Sequence, residues 1–149
     1  MRRLLAAGLG LLAMGAPGAS HAQVGWSYAY INGVATATER DDRGRVTATI
    51  TCSPPTGDIV ISDYTLARAA RRATTSSVRI GVMSVTVPSR VEGRGRESAL
   101  RINLPQRPPI LAAVQPADQL SVTVNNQTHT FRNGGPQKMR EVAYACWGS

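Results

Sequence analysis

Residues 46–52 read Val-Thr-Ala-Thr-Ile-Thr-Cys, and this stretch decides the fold class of the chain. Apolar side chains alternate with threonine along its whole length, which is the period-two pattern of a strand that buries one face. The pattern predicts that Cys52 points into the core. A half-buried strand rich in β-branched residues favours a mainly β protein.

Stretches of the same character recur on both sides of this strand. Short runs rich in Val, Ile and Thr alternate with segments rich in Gly, Pro, Asn and Asp, so short turns connect the strands. Short connections favour antiparallel pairing. The predicted strands cover residues 26–30, which residues 33–38 either continue or pair with, and then residues 46–52, 58–64, 78–87, 98–104, 119–124 and 128–132.

The C-terminal part predicts a hairpin and then a helix. Residues 119–124 and 128–132 flank Asn125 and Asn126, and asparagine tolerates the positive φ of a tight turn. Apolar residues within 137–146 then fall at helical spacing behind Pro136, a favoured first-turn residue. Residues 65–77 read as one or two helical turns or a charged loop. We therefore expect an antiparallel β-sandwich or barrel of about seven strands with a short C-terminal helix.

The first 22 residues predict a Sec-type signal peptide. Arg2 and Arg3 precede an uncharged apolar run at 4–14, and Ser20 and Ala22 are the small residues before a cleavage site. The apolar run is too short to span a bilayer, which takes about 20 residues. We expect cleavage after Ala22, a single β-rich exported domain over 23–149, and a periplasmic or secreted location with no transmembrane span in the mature chain.

The chain contains two cysteines, Cys52 and Cys146. An even number of cysteines in an exported chain favours a disulfide bond. Closing a loop of this length stabilises a fold by about 4–5 kcal/mol on the chain-entropy account. Two buried thiols are the alternative, and two cysteines alone do not form a zinc site. We expect the disulfide, and neither a metal nor another cofactor.

The chain is strongly basic. Its formal net charge is +8, and without Arg2 and Arg3 the exported part still has 15 basic and 9 acidic residues, a net charge of +6. Such a charge favours anionic partners. The basic side chains that form a candidate surface for anions or a partner are Arg68, Arg71, Arg72, Arg90, Arg94, Arg96 and Arg101.

These arginines occupy two separate stretches of the sequence. They form one anion-binding face if the fold brings the stretches together, and two solvated loops if it does not. Nucleic acid is a poor candidate ligand because the aromatic residues that would stack on bases are not interleaved with the arginines. An envelope protein, or an anionic lipid or glycan, is the expected partner, and the sequence does not indicate an oligomeric state.

Residues for catalysis are scarce. His129 is the one histidine after the predicted signal peptide, and no Gly-x-Ser-x-Gly motif accompanies it. We interpret alternation along the last hairpin as turning either His129 or Phe131 to solvent, and we expect His129 to be a surface residue. Asp58 and Asp63 flank a predicted strand without the signature of a facing carboxylate pair. The sequence therefore indicates a protein that is not an enzyme.

Roughly the last 40 residues combine several features with Trp26 and Cys52 earlier in the chain. These features are an apolar pair at Leu111 and Val114, the run Ala-Asp-Gln-Leu-Ser-Val at 117–122, a hairpin to Phe131, a glycine pair, and a helix ending at Cys146. The arrangement resembles small periplasmic β-sandwich proteins such as the invasion-associated locus B family and type VI secretion accessory proteins. The resemblance implies a non-enzymatic role in the envelope, although some members have four cysteines where this chain has two.

Together these features indicate a non-enzymatic exported binding or accessory protein of the bacterial cell envelope. The alternative is a secreted inhibitor or immunity-type protein that blocks an enzyme through an exposed loop, for which residues 93–96 are the candidate. A basic enzyme such as lysozyme is a poor target for that alternative, because it would repel a basic partner.

Overall fold

The computed structural model describes residues 23–52, 57–112 and 114–148, so the predicted signal peptide lies outside the described residues. Within these ranges, nine strands precede one α-helix, α1 (Gly135–Trp147). The strands are β1 (Gly25–Ile31), β2 (Val34–Arg40), β3 (Val46–Cys52), β4 (Ile59–Asp63), β5 (Thr75–Ile80), β6 (Met83–Glu92), β7 (Ala99–Leu104), β8 (Leu120–Val124) and β9 (Gln127–Thr130).

All nine strands belong to one antiparallel sheet in the order β1-β2-β3-β4-β7-β6-β5-β8-β9. The sheet curls into a half-barrel, and its inner face carries the core. The mainly β class, the antiparallel pairing and the C-terminal helix are therefore confirmed. The described part of the chain has nine strands, however, where the sequence predicted about seven.

One difference arises at the predicted strand 78–87, which is two strands. Gly81 and Val82 form a tight turn between β5 and β6, with Gly81 at φ +56° and Val82 95% exposed. The turn is hidden in the sequence because Ile80 and Met83 on either side of it are also apolar, so the run has the composition of a continuous strand. Residues 64–74 precede β5 and include one helical turn, closed by a 3.0 Å bond from Ala70 N–H to the Leu66 carbonyl.

Alternate residues of the central strands fill the inner face with apolar side chains. Ile50, Ile61 and Ile102 lie side by side in register on β3, β4 and β7, and all three are fully buried. Burying an aliphatic side chain of this size contributes about 1.5–3 kcal/mol. The same alternation places Cys52 in the core, as the sequence predicted.

Helix α1 packs over β1, β2 and β3, where Ala35 and Ala37 of β2 allow a close approach. The sulfur atoms of Cys52 and Cys146 lie 2.18 Å apart and the Cα atoms 6.1 Å apart, so the predicted disulfide pair is confirmed. Trp147 donates its indole N–H to the carbonyl of Gly57 and thereby ties the helix end to the start of β4.

Trp26 is buried against Phe131, with ring centroids 6.0 Å apart, and its indole N–H donates to the Arg132 carbonyl. Trp26 is therefore part of the core, and Trp147 packs partly buried against it. Among the described residues, no helix combines the length and the apolar character that crossing a bilayer requires.

Replacing both Cys52 and Cys146 by serine is expected to lower the free energy of unfolding by about 2–5 kcal/mol, because the pair closes a loop across most of the domain. Urea unfolding of the variant and of the oxidised protein measures the difference. The control is the unaltered protein under reducing conditions, which should match the variant. An unchanged unfolding midpoint in the serine variant would contradict a stabilising disulfide.

Candidate functional site

Three ionisable side chains meet on the inner face of the sheet. Glu39 on β2 and Asp63 at the end of β4 are buried, and His129 on β9 keeps 18% of its side chain exposed. His129 Nδ1 lies 2.7 Å from Asp63 Oδ2, and His129 Nε2 lies 3.8 Å from Glu39 Oε2. The imidazole therefore bridges two buried carboxylates, and we call these three residues the histidine bridge.

Strand register explains why the carboxylates of Glu39 and Asp63 leave a space between them that one imidazole ring fills. Glu39 pairs with Ala48 on one side, and Asp63 pairs with Ala48 on the other. Two strand spacings separate the backbones of β2 and β4 by about 10 Å. Because Ala48 carries only a methyl group, the space above it stays open for the imidazole that β9 supplies.

Each carboxylate also accepts hydrogen bonds from residues other than His129. Asp63 Oδ1 accepts the backbone N–H and hydroxyl of Thr65, each at 2.7 Å, and the N–H of Leu66 at 3.0 Å. Glu39 accepts the hydroxyl of Thr47 and the backbone N–H of Arg132. Buried charges are tolerated only with such partners.

Thr47 reaches Glu39 because of an irregularity in β3. The register between β2 and β3 shifts after Glu39, so that Thr47 is an extra residue between the partners Val46 and Ala48. A bulge of this kind re-aims a side chain that regular alternation would turn to the outer face. The bulge therefore belongs to the construction of the histidine bridge.

The electrostatics of the bridge favour a protonated imidazole. Burial lowers the pKa of His129, but the hydrogen bond to Asp63 and the negative charges of Asp63 and Glu39 outweigh it, so the pKa lies above its ordinary value of 6.5. Among the described residues, no hydroxyl or thiol bonds to the ring. The arrangement therefore joins β9 to β2 and β4 through one imidazole.

The expectation that His129 is a surface residue is wrong. Positions 129 and 131 have the same parity, so both side chains turn inward, and their rings lie 4.5 Å apart. The sequence also contained a signal for the two acids. Glu39 continues the buried alternation of Ala35 and Ala37 on β2, and Asp63 continues that of Ile59 and Ile61 on β4, so both occupy core positions.

A second feature is a groove of about 430 Å³ between the loop 64–74 and the turn at 93–98. The structure thus brings together two of the predicted basic stretches. Arg68, Arg71 and Arg96 line the groove, with Tyr64 and Ser98 between them. No acidic side chain of the described residues forms an ion pair with these three arginines. We call this feature the arginine groove.

The other predicted arginines lie elsewhere. Arg90 and Arg101 pair across β6 and β7 on the outer face, and both contact Glu92, at 2.5 Å and 3.0 Å. The hydrogen bond from Arg90, with the charge of Arg101, lowers the pKa of Glu92. Arg72 and Arg94 are exposed and do not line the groove. Of the seven candidates, three share the groove.

The arginine groove adjoins the histidine bridge. A neighbouring depression of about 720 Å³ shares Tyr64, Thr65 and Arg96 with the groove and is also lined by Thr47. The hydroxyls of Thr47 and Thr65 are those that hold the buried carboxylates. Within the described ranges, no group of three or more His, Cys, Asp or Glu side chains is arranged to hold a metal ion.

Replacing His129 by glutamine is expected to cost about 3 kcal/mol of stability at about pH 6, because two buried carboxylates then lack a cation. A raised folded pKa gives stability that is complete below the unfolded value of about 6.5 and is lost as the pH rises through the folded value. The difference from the unaltered protein should therefore shrink towards about pH 9.

Urea unfolding across this pH range measures the effect. The control is Thr130→Gln, an exposed position on the same segment, which should show a small difference that does not change with pH. A loss of stability in His129→Gln that is equal at both pH values would refute a charged bridge.

Comparisons of the chain with protein-family models, with curated proteins and with solved structures find no match. The function is therefore proposed from the geometry, burial and charge of the two features described above.

Proposed function

We propose that this protein is a non-enzymatic, exported binding protein of the bacterial cell envelope. It recognises a phosphate-bearing anion, such as a lipid headgroup or a lipopolysaccharide, through the arginine groove. The observation that carries the proposal is the convergence of Arg68, Arg71 and Arg96 on one groove with no acidic partner among the described residues.

The chemistry of the groove suits such a ligand. Each guanidinium presents several N–H donors in a planar fork, which matches the oxygens of a phosphate. Tyr64 adds a partly exposed ring and Ser98 a hydroxyl at the same place. Like charges that converge without a partner repel one another, and a bound anion reduces that repulsion. A phosphate group, whose negative charge is spread over several acceptor oxygens, is therefore favoured over a single carboxylate.

The loop that supplies two of the arginines is held at its start and near its middle. Asp63 accepts three hydrogen bonds from Thr65 and Leu66 at its start, and Asn125 donates its side-chain N–H to the Ala69 carbonyl at 2.9 Å. A loop fixed before binding loses less conformational entropy when the ligand arrives. These anchors support a preformed site.

The absence of a nucleophile bonded to His129 in the described chain supports a role in binding over catalysis. The predicted signal peptide and the Cys52–Cys146 pair support an exported location. The resemblance to invasion-associated locus B and type VI secretion accessory proteins, which implies a β-sandwich fold and an accessory role, supports the same compartment.

Reversing two groove charges with Arg68→Glu and Arg96→Glu is expected to weaken binding to vesicles containing an anionic phospholipid, or to lipopolysaccharide, by at least about tenfold, which is about 1.4 kcal/mol. Vesicle sedimentation at low and at high salt measures the effect. The matched control is Arg72→Glu with Arg94→Glu, which changes the net charge equally outside the groove. Equal losses in both variants would reduce the interaction to net charge and contradict a defined site.

The inhibitor alternative rests on the turn at 93–98. Arg94 and Arg96 are exposed there, and Gly93 is required because a Cβ would lie 2.5 Å from the Glu97 carbonyl oxygen. A pull-down from envelope extract separates the two proposals. A single stoichiometric protein that survives high salt favours the inhibitor, whereas a salt-sensitive lipid or glycan favours the arginine groove.

A further inference from the structure

β1 forms one end of the nine-stranded sheet, and its outer edge is open. It pairs with β2 on one side, and the described chain supplies no strand on the other. Its sequence, Gly-Trp-Ser-Tyr-Ala-Tyr-Ile, contains neither a charged residue nor a proline. Natural edge strands are protected from further pairing by charges, prolines or bulges. β1 has none of these along seven residues and is therefore competent to pair.

Exposed apolar side chains gather on the same strand. Of the eight large hydrophobic residues that are exposed in the described chain, four lie on β1 or beside it. Tyr30 is 55% exposed and Ile31 65% exposed, whereas Trp26 on the same strand is buried under Phe131. The part of β1 that the described chain covers therefore ends near Trp26. The second half of the strand has exposed apolar side chains that no other described segment covers. The four exposed residues are Val24, Tyr28, Tyr30 and Ile31.

The hairpin geometry shows which backbone groups face the open edge. Asn32 and Gly33, with φ of 51° and 78°, form the two-residue turn between β1 and β2, so the flanking pair Ile31 and Val34 is hydrogen-bonded. Hydrogen-bonded pairs alternate along an antiparallel ladder. The N–H and C=O groups of Tyr28 and Tyr30 consequently point away from β2, towards the open edge.

We propose that β1 pairs antiparallel with β1 of a second copy of this chain, about a twofold axis at Ala29. In this register Tyr28 lies opposite Tyr30 of the second copy, and the reverse pair forms by symmetry. These are the residues whose backbone groups face outward, so the two strands exchange about four hydrogen bonds. The aromatic side chains then form cross-strand pairs, which stabilise antiparallel strands.

A second copy fits this edge better than a different partner does. The strand is self-complementary in the proposed register, as a twofold interface requires. Residues 23–38 contain no charged side chain in a chain of net charge +8. An acidic partner would find no cation on this edge, whereas two copies can approach here without juxtaposing like charges. The arginine groove lies on the loops after β4 and β6, away from the proposed contact.

The test begins with the oligomeric state of the protein purified after export, measured by light scattering coupled to size exclusion. We expect a dimer. Tyr28→Lys with Tyr30→Lys places like charges opposite each other in the proposed register and should give a monomer. The matched control is Val82→Lys with Met83→Lys at the exposed β5–β6 turn, which adds the same charge and should remain dimeric. Circular dichroism establishes that each variant is folded.

Cross-linking tests the register independently. Ala29→Cys places two thiols at a pair whose Cα atoms are about 4.5 Å apart, which a disulfide can span. Mild oxidation should therefore yield a covalent dimer. Ser27→Cys is the control, because its two copies would lie about 13 Å apart along the strands, and it should not cross-link.

A monomeric unaltered protein would overturn the proposal. So would a dimer that persists in the Tyr28→Lys and Tyr30→Lys variant, or equal dissociation in the Val82→Lys and Met83→Lys control. Efficient cross-linking through Ser27→Cys instead of Ala29→Cys would overturn the register.

Discussion

The bridge that His129 forms between Glu39 and Asp63 is the interaction on which the rest of the structure depends. β9 is the last strand of the sheet order, and β2 and β4 lie near the other end, so this contact joins two ends of one curled sheet. Hydrophobic burial along the inner face favours a curled sheet but does not determine how far the sheet curls. The contact of His129 with both carboxylates determines the extent of curling, because two buried carboxylates without a cation would cost several kcal/mol.

The same bridge sets the geometry of the surface that we propose for binding. Asp63 uses one oxygen for the imidazole and the other for Thr65 and Leu66, which begin the loop that carries Arg68 and Arg71. A change in the charge of the histidine bridge therefore affects the loop that carries Arg68 and Arg71, because Asp63 contacts both His129 and the start of that loop. If two copies pair through β1, each dimer presents two grooves, and binding to a surface of repeated anionic groups gains from their effective concentration.

Period-two alternation was sufficient to predict much of the fold. It located β2, β3, β4, β7 and β8 and the inward direction of Cys52, because each of these strands buries a single face. It failed at Gly81, where a tight turn has only apolar neighbours, and the strand count was therefore too low. The turn between β8 and β9 was predicted correctly, because Asn125 and Asn126 adopt the positive φ that asparagine tolerates.

The histidine bridge was missed for a different reason. Glu39, Asp63 and His129 all occupy inward positions by alternation, but the predicted strand 33–38 ended before Glu39, and His129 was expected at the surface. Their proximity depends on a sheet order that joins residues 66 and 90 positions apart, which local pattern does not encode. Similarly, the sequence identified seven arginines, and only the fold could separate the three in the groove from the pair that contacts Glu92.

The most direct test of the central claim is amide hydrogen exchange in the unaltered protein and in His129→Gln at a pH below 6.5. If the bridge closes the half-barrel, protection should fall together in β9, in the β4 end and in the loop 64–74, because these segments are distant in sequence and joined through Asp63. A loss of protection confined to β9 would contradict the claim and would make the imidazole a local feature of the last hairpin.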